Sequence, residues 1–114
     1  MRDKSDYVTE QNEKSIASVD KGTGTWYYRK WYSGHFECWG QFNVTSNAKG
    51  LATIKIQYPV TIYDAVPVAS FASWGNSNAQ LKYVSNQDGS VVAYGSANAN
   101  ANSWFYIQVK GRWK

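Results

Sequence analysis

Between Thr25 and Gly40 the chain reads TWYYRKWYSGHFECWG, and this segment constrains the fold more than any other. Aromatic residues fit a pleated, half-buried surface better than a helix interior, so Thr25–Tyr32 and His35–Gly40 are predicted strands. Ser33-Gly34 between them supplies a tight turn, and the unit reads as a β-hairpin. Alternation puts Trp26, Tyr28, Lys30 and Tyr32 on one face of the first strand and Tyr27, Arg29 and Trp31 on the other. Both faces are aromatic. Such a strand must be covered on both sides, by a second sheet or by another subunit.

The same pattern continues downstream. Strands are predicted at Gln41–Thr45, Leu51–Tyr58, Val60–Tyr63, Val68–Trp74, Gln80–Val84, Ser90–Tyr94 and Trp104–Lys110. In Leu51–Tyr58, Ala52, Ile54, Ile56 and Tyr58 alternate with Thr53, Lys55 and Gln57, the signature of a strand with one wet face. The separators are rich in Gly, Asn, Asp and Ser, which favour turns. Many short strands at this spacing imply an all-β, antiparallel sandwich of jelly-roll type. Pro59 and Pro67 bracket a segment at a sheet edge or crossover, because proline removes a ladder donor. A chain of 114 residues is the size of one core, expected over residues 21–114. Residues 1–20 read as an extended polar arm or the end of a preceding stalk, and Lys21-Gly22-Thr23-Gly24 separates them from the body.

The net charge of +4 is unevenly placed. The arm carries Arg2, Lys4 and Lys14 against Asp3, Asp6, Glu10, Glu13 and Asp20, whereas the acids of the body are Glu37, Asp64 and Asp88. A basic body suits a polyanionic partner, which includes nucleic acid, an anionic glycan or teichoic acid. Cys38 stands alone, so an intrachain disulfide is excluded, and its neighbours Phe36 and Trp39 mark it as a small buried hydrophobe. No apolar run follows Met1, and no segment approaches the ~20 apolar residues needed to cross a bilayer. The expected product is soluble, made in a cytoplasm and not inserted in a membrane.

Catalytic chemistry has little to build on. His35 is the one histidine, which argues against a metal centre or a charge relay, and neither metal nor cofactor is expected. A glycosidase needs paired carboxylates about 5–10 Å apart, and Glu37 with Asp64 is the pair to test. Glu37 reads more simply as a charge partner for Arg29 or Lys30 across the hairpin. The expected chain is a binding module, not an enzyme. The alternatives are a carbohydrate-active enzyme domain and a single-stranded nucleic-acid-binding β-barrel whose bases stack on Trp26–Trp31 or Trp104–Lys114. Core packing is the expected role of about two-thirds or more of the aromatic rings. The remaining candidates lie in the polar connections Ser73–Asn78, Asn86–Gly89 and Ser96–Asn102. There Trp74, Tyr94 and Trp104 flank Asn76, Asn78, Asn98 and Asn100. An aromatic face covers the apolar side of a sugar ring while amides meet its hydroxyls, so these residues form the candidate ligand site.

The segment Trp26-Tyr27-Tyr28-Arg29-Lys30-Trp31-Tyr32-Ser33-Gly34-His35-Phe36-Glu37-Cys38-Trp39-Gly40 resembles a W-x-Y-R-K-W-x-S-G-x-x-E-C-W-G pattern. That pattern occurs in C-terminal domains of tail-fibre and minor structural proteins from phages and prophages of Gram-positive bacteria. Asp6-Tyr7-Val8-Thr9-Glu10-Gln11, the Tyr58-Pro59 to Val66-Pro67 bracket and the ending Gly111-Arg112-Trp113-Lys114 are similar to the same group. The resemblance implies a trimeric β-sandwich at the tip of a virion fibre that attaches to a surface polymer of the host. It also implies that Trp26, Arg29, Lys30, Trp31, Glu37, Cys38, Trp39 and Trp113 are scaffold or interface groups, not receptor contacts. The family carries a long stalk upstream, so this chain resembles an excised terminal domain or a truncated product.

Overall fold

The protein is described from a computed structural model over residues 17–75 and 78–114. Its strands are β1 (Ala17–Asp20), β2 (Gly24–Lys30), β3 (His35–Thr45), β4 (Leu51–Gln57), β5 (Tyr63–Ser73), β6 (Gln80–Gln87), β7 (Ser90–Ser96) and β8 (Asn102–Arg112). The larger sheet has the order β1-β2-β3-β8-β5 and the smaller one β4-β7-β6. Every pairing is antiparallel. Strands β3 and β8 pair in the larger sheet, and β4 and β7, nested between them in sequence, pair in the smaller. That nesting, with four crossings between the sheets, is the jelly-roll arrangement expected of the sequence.

Alternation fills the space between the sheets. Strand β4 has a strictly alternating burial pattern, and its Ala52, Ile54 and Ile56 face Trp26, Phe36, Cys38 and Phe42 from β2 and β3. Val91 and Ala93 of β7 and Phe105, Ile107 and Val109 of β8 complete the core. Each large apolar side chain removed from water contributes about 1.5–3 kcal/mol. Trp26 fastens the two layers. Its ring meets Phe42 edge to face at 4.7 Å, and its Nε1–H donates to the Gln57 carbonyl of β4 at 2.8 Å.

Gln41–Thr45 is no separate strand, because β3 runs unbroken from His35 to Thr45. Gly40 makes no turn there. A Cβ on it would lie 2.6 Å from the Thr25 carbonyl oxygen and 2.8 Å from the Phe42 ring, so glycine is required by packing. Val60–Tyr63 is mostly a crossover, with β5 beginning at Tyr63. Pro67 lies in β5, which is an edge strand, as the missing donor requires. The hairpin turn is longer than expected. Trp31 bonds His35 and Gly34 bonds Trp31, which leaves Tyr32, Ser33 and Gly34 in the loop, with Gly34 at φ 106°. This places Arg29, not Lys30, opposite Glu37.

Fewer rings are core than expected. Trp26, Phe36, Phe42, Tyr58 and Phe105 are buried, whereas Tyr27, Tyr32, Tyr63, Trp74, Tyr83, Tyr94 and Tyr106 are exposed. Tyr27, on the outer face of β2, is 44% exposed, so no second sheet covers that face. Residues 21–114 supply β2 to β8, while β1 falls within the segment read as an arm and pairs with β2. The rest of that segment lies outside the described residues.

Burial makes Cys38 and Tyr58 reluctant to ionise. It pushes the Cys38 thiol well above the ordinary thiol range. Tyr58 is pushed up to about 12 from an ordinary 10, by burial first and then by the nearby Cys38 charge. The unfolded chain therefore releases these protons at lower pH than the folded one. Their contribution to stability is full below the ordinary values and is lost as pH climbs through the window from about 9 to 12. The urea midpoint is expected to fall across that window, and less steeply in Tyr58→Phe. A wild-type midpoint unchanged between pH 8 and pH 11.5 would contradict the assignment.

Candidate functional site

Three connections, 46–50, 74–79 and 97–101, meet at one end of the sandwich because β3, β5 and β7 all finish there. The backbones of 46–50 and 97–101 are tied together. Ser46 donates its hydroxyl to the Asn98 carbonyl and accepts from Ala101 N–H at 2.8 Å. Ala97 N–H donates to Gly50 at 2.7 Å, and Asn100 N–H to Asn47 at 3.0 Å. Gly50 has φ +80°, and a Cβ there would lie 2.3 Å from the Ala97 carbonyl oxygen. Beneath the rim, the buried Ser103 hydroxyl donates to Ser73 at 2.9 Å, joining β8 to β5.

On this fixed rim Trp74 stands 74% exposed while its backbone N–H is held by the Asn102 carbonyl at 2.8 Å. The Asn98 side-chain amide reaches the Gly75 carbonyl at 3.4 Å and is otherwise open to solvent. Asn78 is exposed on the same connection, and Asn76 lies outside the described residues. Asn100 is exposed but sits at φ 54°, a left-handed conformation that asparagine tolerates, so it also shapes the loop. The Asn43 side chain donates to Asn102 Oδ1 at 2.8 Å, carrying the amide row onto β3. An anchored indole beside several amides can stack on a ring and hydrogen-bond its substituents.

The other candidates fall elsewhere. Trp104 is half-buried on the outer face of the larger sheet, between Asn43 and Ala72. Tyr94 lies on the outer face of the smaller sheet, stacked on Tyr83 with centroids 5.3 Å apart. The turn at Asp88-Gly89 is at the opposite end of the sandwich, where Gly89 accepts from Tyr58 N–H at 3.0 Å. Thus the structure brings two of the three polar connections together, adds residues 46–50 to them, and separates the third.

The hairpin motif divides into core and surface. Trp26 and Cys38 are core. Arg29 and Trp39 are half-buried on the outer face of the larger sheet, where one cross-strand row reads Tyr27, Trp39, Gln108, Val68 and the next Arg29, Glu37, Lys110, Val66. Tyr106 and Val68 are exposed there and border a shallow cleft of about 300 Å³. At the far end, Lys30 and Lys114 lie over the Trp113 ring at 4.7 and 5.0 Å, and Trp113 Nε1–H donates to the Trp31 carbonyl at 2.7 Å.

Glu37 pairs with His35 Nε2 at 2.9 Å, not with Arg29 or Lys30. His35 precedes it by two residues and so projects from the same strand face. Asp64 pairs with Arg112 at 2.7 Å, so each carboxylate of the glycosidase candidate pair is engaged by a basic side chain. Among the described residues no group of three or more His, Cys, Asp or Glu could hold a metal ion. No helix there is long and apolar enough to cross a membrane.

No protein-family model and no curated protein matches the chain. Solved structures do. The chain is similar to the P. aeruginosa R1 pyocin fibre in its C-terminal portion, with 17% identity and a TM-score of 0.57. The match covers 90% of this chain and 30% of that one, so this chain spans about a third of the fibre piece it resembles. An N-truncated R1-type pyocin tail fibre aligns over 90% of this chain and 93% of its own, at 18% identity and a TM-score of 0.49. The likeness to the first of these shows that the chain has a fold found in a pyocin fibre.

Proposed function

We propose that this chain is the receptor-binding tip domain of a phage or prophage tail fibre, which binds a glycan or teichoic acid on the host surface during adsorption. The observation that carries the reading is the rim, where exposed Trp74, held by its backbone N–H, stands with Asn78 beside Asn98 and Asn100 on a loop tied to residues 46–50 by hydrogen bonds. Its position supports the same role. Strand β1 starts with Ala17 opposite Tyr28 and runs towards the rim, ending with Asp20 opposite Thr25. A stalk leading straight into β1 would leave the Trp74 rim pointing away from the virion. The fold likeness to a pyocin fibre supports the tail-fibre reading.

The domain acts by binding and catalyses no reaction. Release of reducing sugar from host envelopes, abolished by Glu37→Gln, would overturn this, because that change removes acid and base function with little change in shape. Fluorescently labelled domain is expected to coat cells of some bacterial strains in a panel. Failure to coat any strain would overturn the adsorption role.

The domain assembles as a homotrimer through the outer face of the larger sheet. Tyr27, Tyr106, Val66 and Val68 are exposed on it beside Trp39 and next to the charged row Arg29, Glu37 and Lys110, and exposed aromatic and apolar side chains clustered in this way mark a contact surface. Sedimentation is expected to give the mass of three chains, and Tyr106→Lys with Val68→Lys to give one. A wild-type protein that stays monomeric at high micromolar concentration would contradict the interface.

A further inference from the structure

We propose that the outer face of the smaller sheet holds a second ring-binding subsite, a platform made by Tyr83 and Tyr94, and that the domain therefore recognises several linked units of an anionic polysaccharide. The inference rests on the glycan reading given above. Tyr83 and Tyr94 are directly opposite on β6 and β7, with ring centroids 5.3 Å apart and planes within 29°, yet they remain 40% and 37% exposed. A cross-strand pair that served only to steady the sheet would gain most by covering its rings. This one leaves aromatic surface open to solvent beside polar Thr53, which pairs with Tyr94 from β4.

The platform is built by a local irregularity. The β6 register shifts between Leu81 and Tyr83, so Leu81 packs against the core while Lys82 and Tyr83 are both exposed. A bulge of this kind re-aims side chains at a surface. It gives Tyr83 a cation as its chain neighbour, with Lys82 Nζ steadied by Gln80 Oε1 at 3.0 Å. Lys55 is exposed two residues beyond Thr53 on β4. Strands β4, β6 and β7 carry these two lysines and no carboxylate, so the face is complementary to acidic substituents on a polymer.

The platform also adjoins the rim. Tyr94 is two residues from Ser96, the last residue of β7, which places it about 7 Å along the strand from the loop that carries Asn98. A chain of sugars lying across the Trp74 rim continues onto the tyrosines without leaving the domain surface. A single sugar can occupy only one of the two places, so affinity must grow with chain length.

The test uses an array of purified bacterial surface polysaccharides with their size-fractionated oligosaccharides. Wild type is expected to bind an acidic polysaccharide at least about tenfold more tightly than its single repeating unit. Tyr83→Ala with Tyr94→Ala is expected to remove that chain-length gain, about a tenfold loss of polymer affinity, while binding of the short fragment is unchanged. Tyr83→Phe with Tyr94→Phe keeps the rings and is expected to keep the gain. Should the alanine pair unfold, Tyr83→Thr with Tyr94→Thr preserves strand propensity and makes the same comparison. Polymer binding equal to wild type in a folded alanine or threonine pair would overturn the subsite. Equal binding of neutral and acidic polymers by wild type would overturn the role of Lys55 and Lys82. An array on which wild type binds nothing would instead overturn the glycan reading itself.

Discussion

Trp26→Ala is expected to lower the unfolding free energy by about 3–5 kcal/mol, the range for truncating a buried aromatic side chain. Trp26 has no solvent exposure, and the cavity left by its indole would open between Phe42 and Tyr58. The Gln57 carbonyl would also lose its indole donor, across the contact between the two sheets. Most small domains have only 5–15 kcal/mol in total, so the loss is a large part of the fold's stability. Urea denaturation followed by near-ultraviolet circular dichroism measures it. A loss under 1 kcal/mol would mean that the sheets are not held together through this ring.

Trp74→Ala is expected to act in the opposite way, weakening cell binding by about tenfold or more with an unchanged melting temperature. Aromatic anchors at an interface commonly contribute 2 kcal/mol or more, and 1.4 kcal/mol corresponds to tenfold. The indole is 74% exposed, and the hydrogen bond that fixes this residue comes from its backbone, which alanine retains. Flow cytometry with labelled domain reads the binding and calorimetry the stability. Asn98→Ala makes a companion change of smaller effect. Asn100→Ala is a poorer probe, because at φ 54° alanine is strained and the loop itself would respond. Full binding by Trp74→Ala would move the site off this rim.

Strand order of burial was legible where the two-residue period is clean, as in Leu51–Gln57, since that pattern needs only one wet and one dry face. Gly40 reads as a strand end in the sequence because glycine serves a turn or a crowded strand equally well, and only the position of the Phe42 ring distinguishes them. The Glu37 partner is not legible in the sequence for a similar reason. A hairpin loop longer by one residue changes which side chains are opposite, and a neighbour on the same strand can take the carboxylate instead. Trp74 and Asn98 are legible as members of one candidate group, but the contribution of Ser46 and Gly50 to their rim depends on contacts about 50 residues apart in sequence, as in the Ser46 to Asn98 bond. The outward position of Tyr83 is not legible in the sequence, because the bulge at Lys82 breaks the two-residue alternation.

The most direct measurement of the central claim is binding of labelled domain to a recognised strain before and after its surface carbohydrate is destroyed by mild periodate, with protease-shaved cells in parallel. The account predicts that periodate abolishes binding, that protease leaves it intact, and that soluble polysaccharide from the same strain competes. Binding that survives periodate and is lost on protease treatment would contradict it, because the receptor would then be a protein.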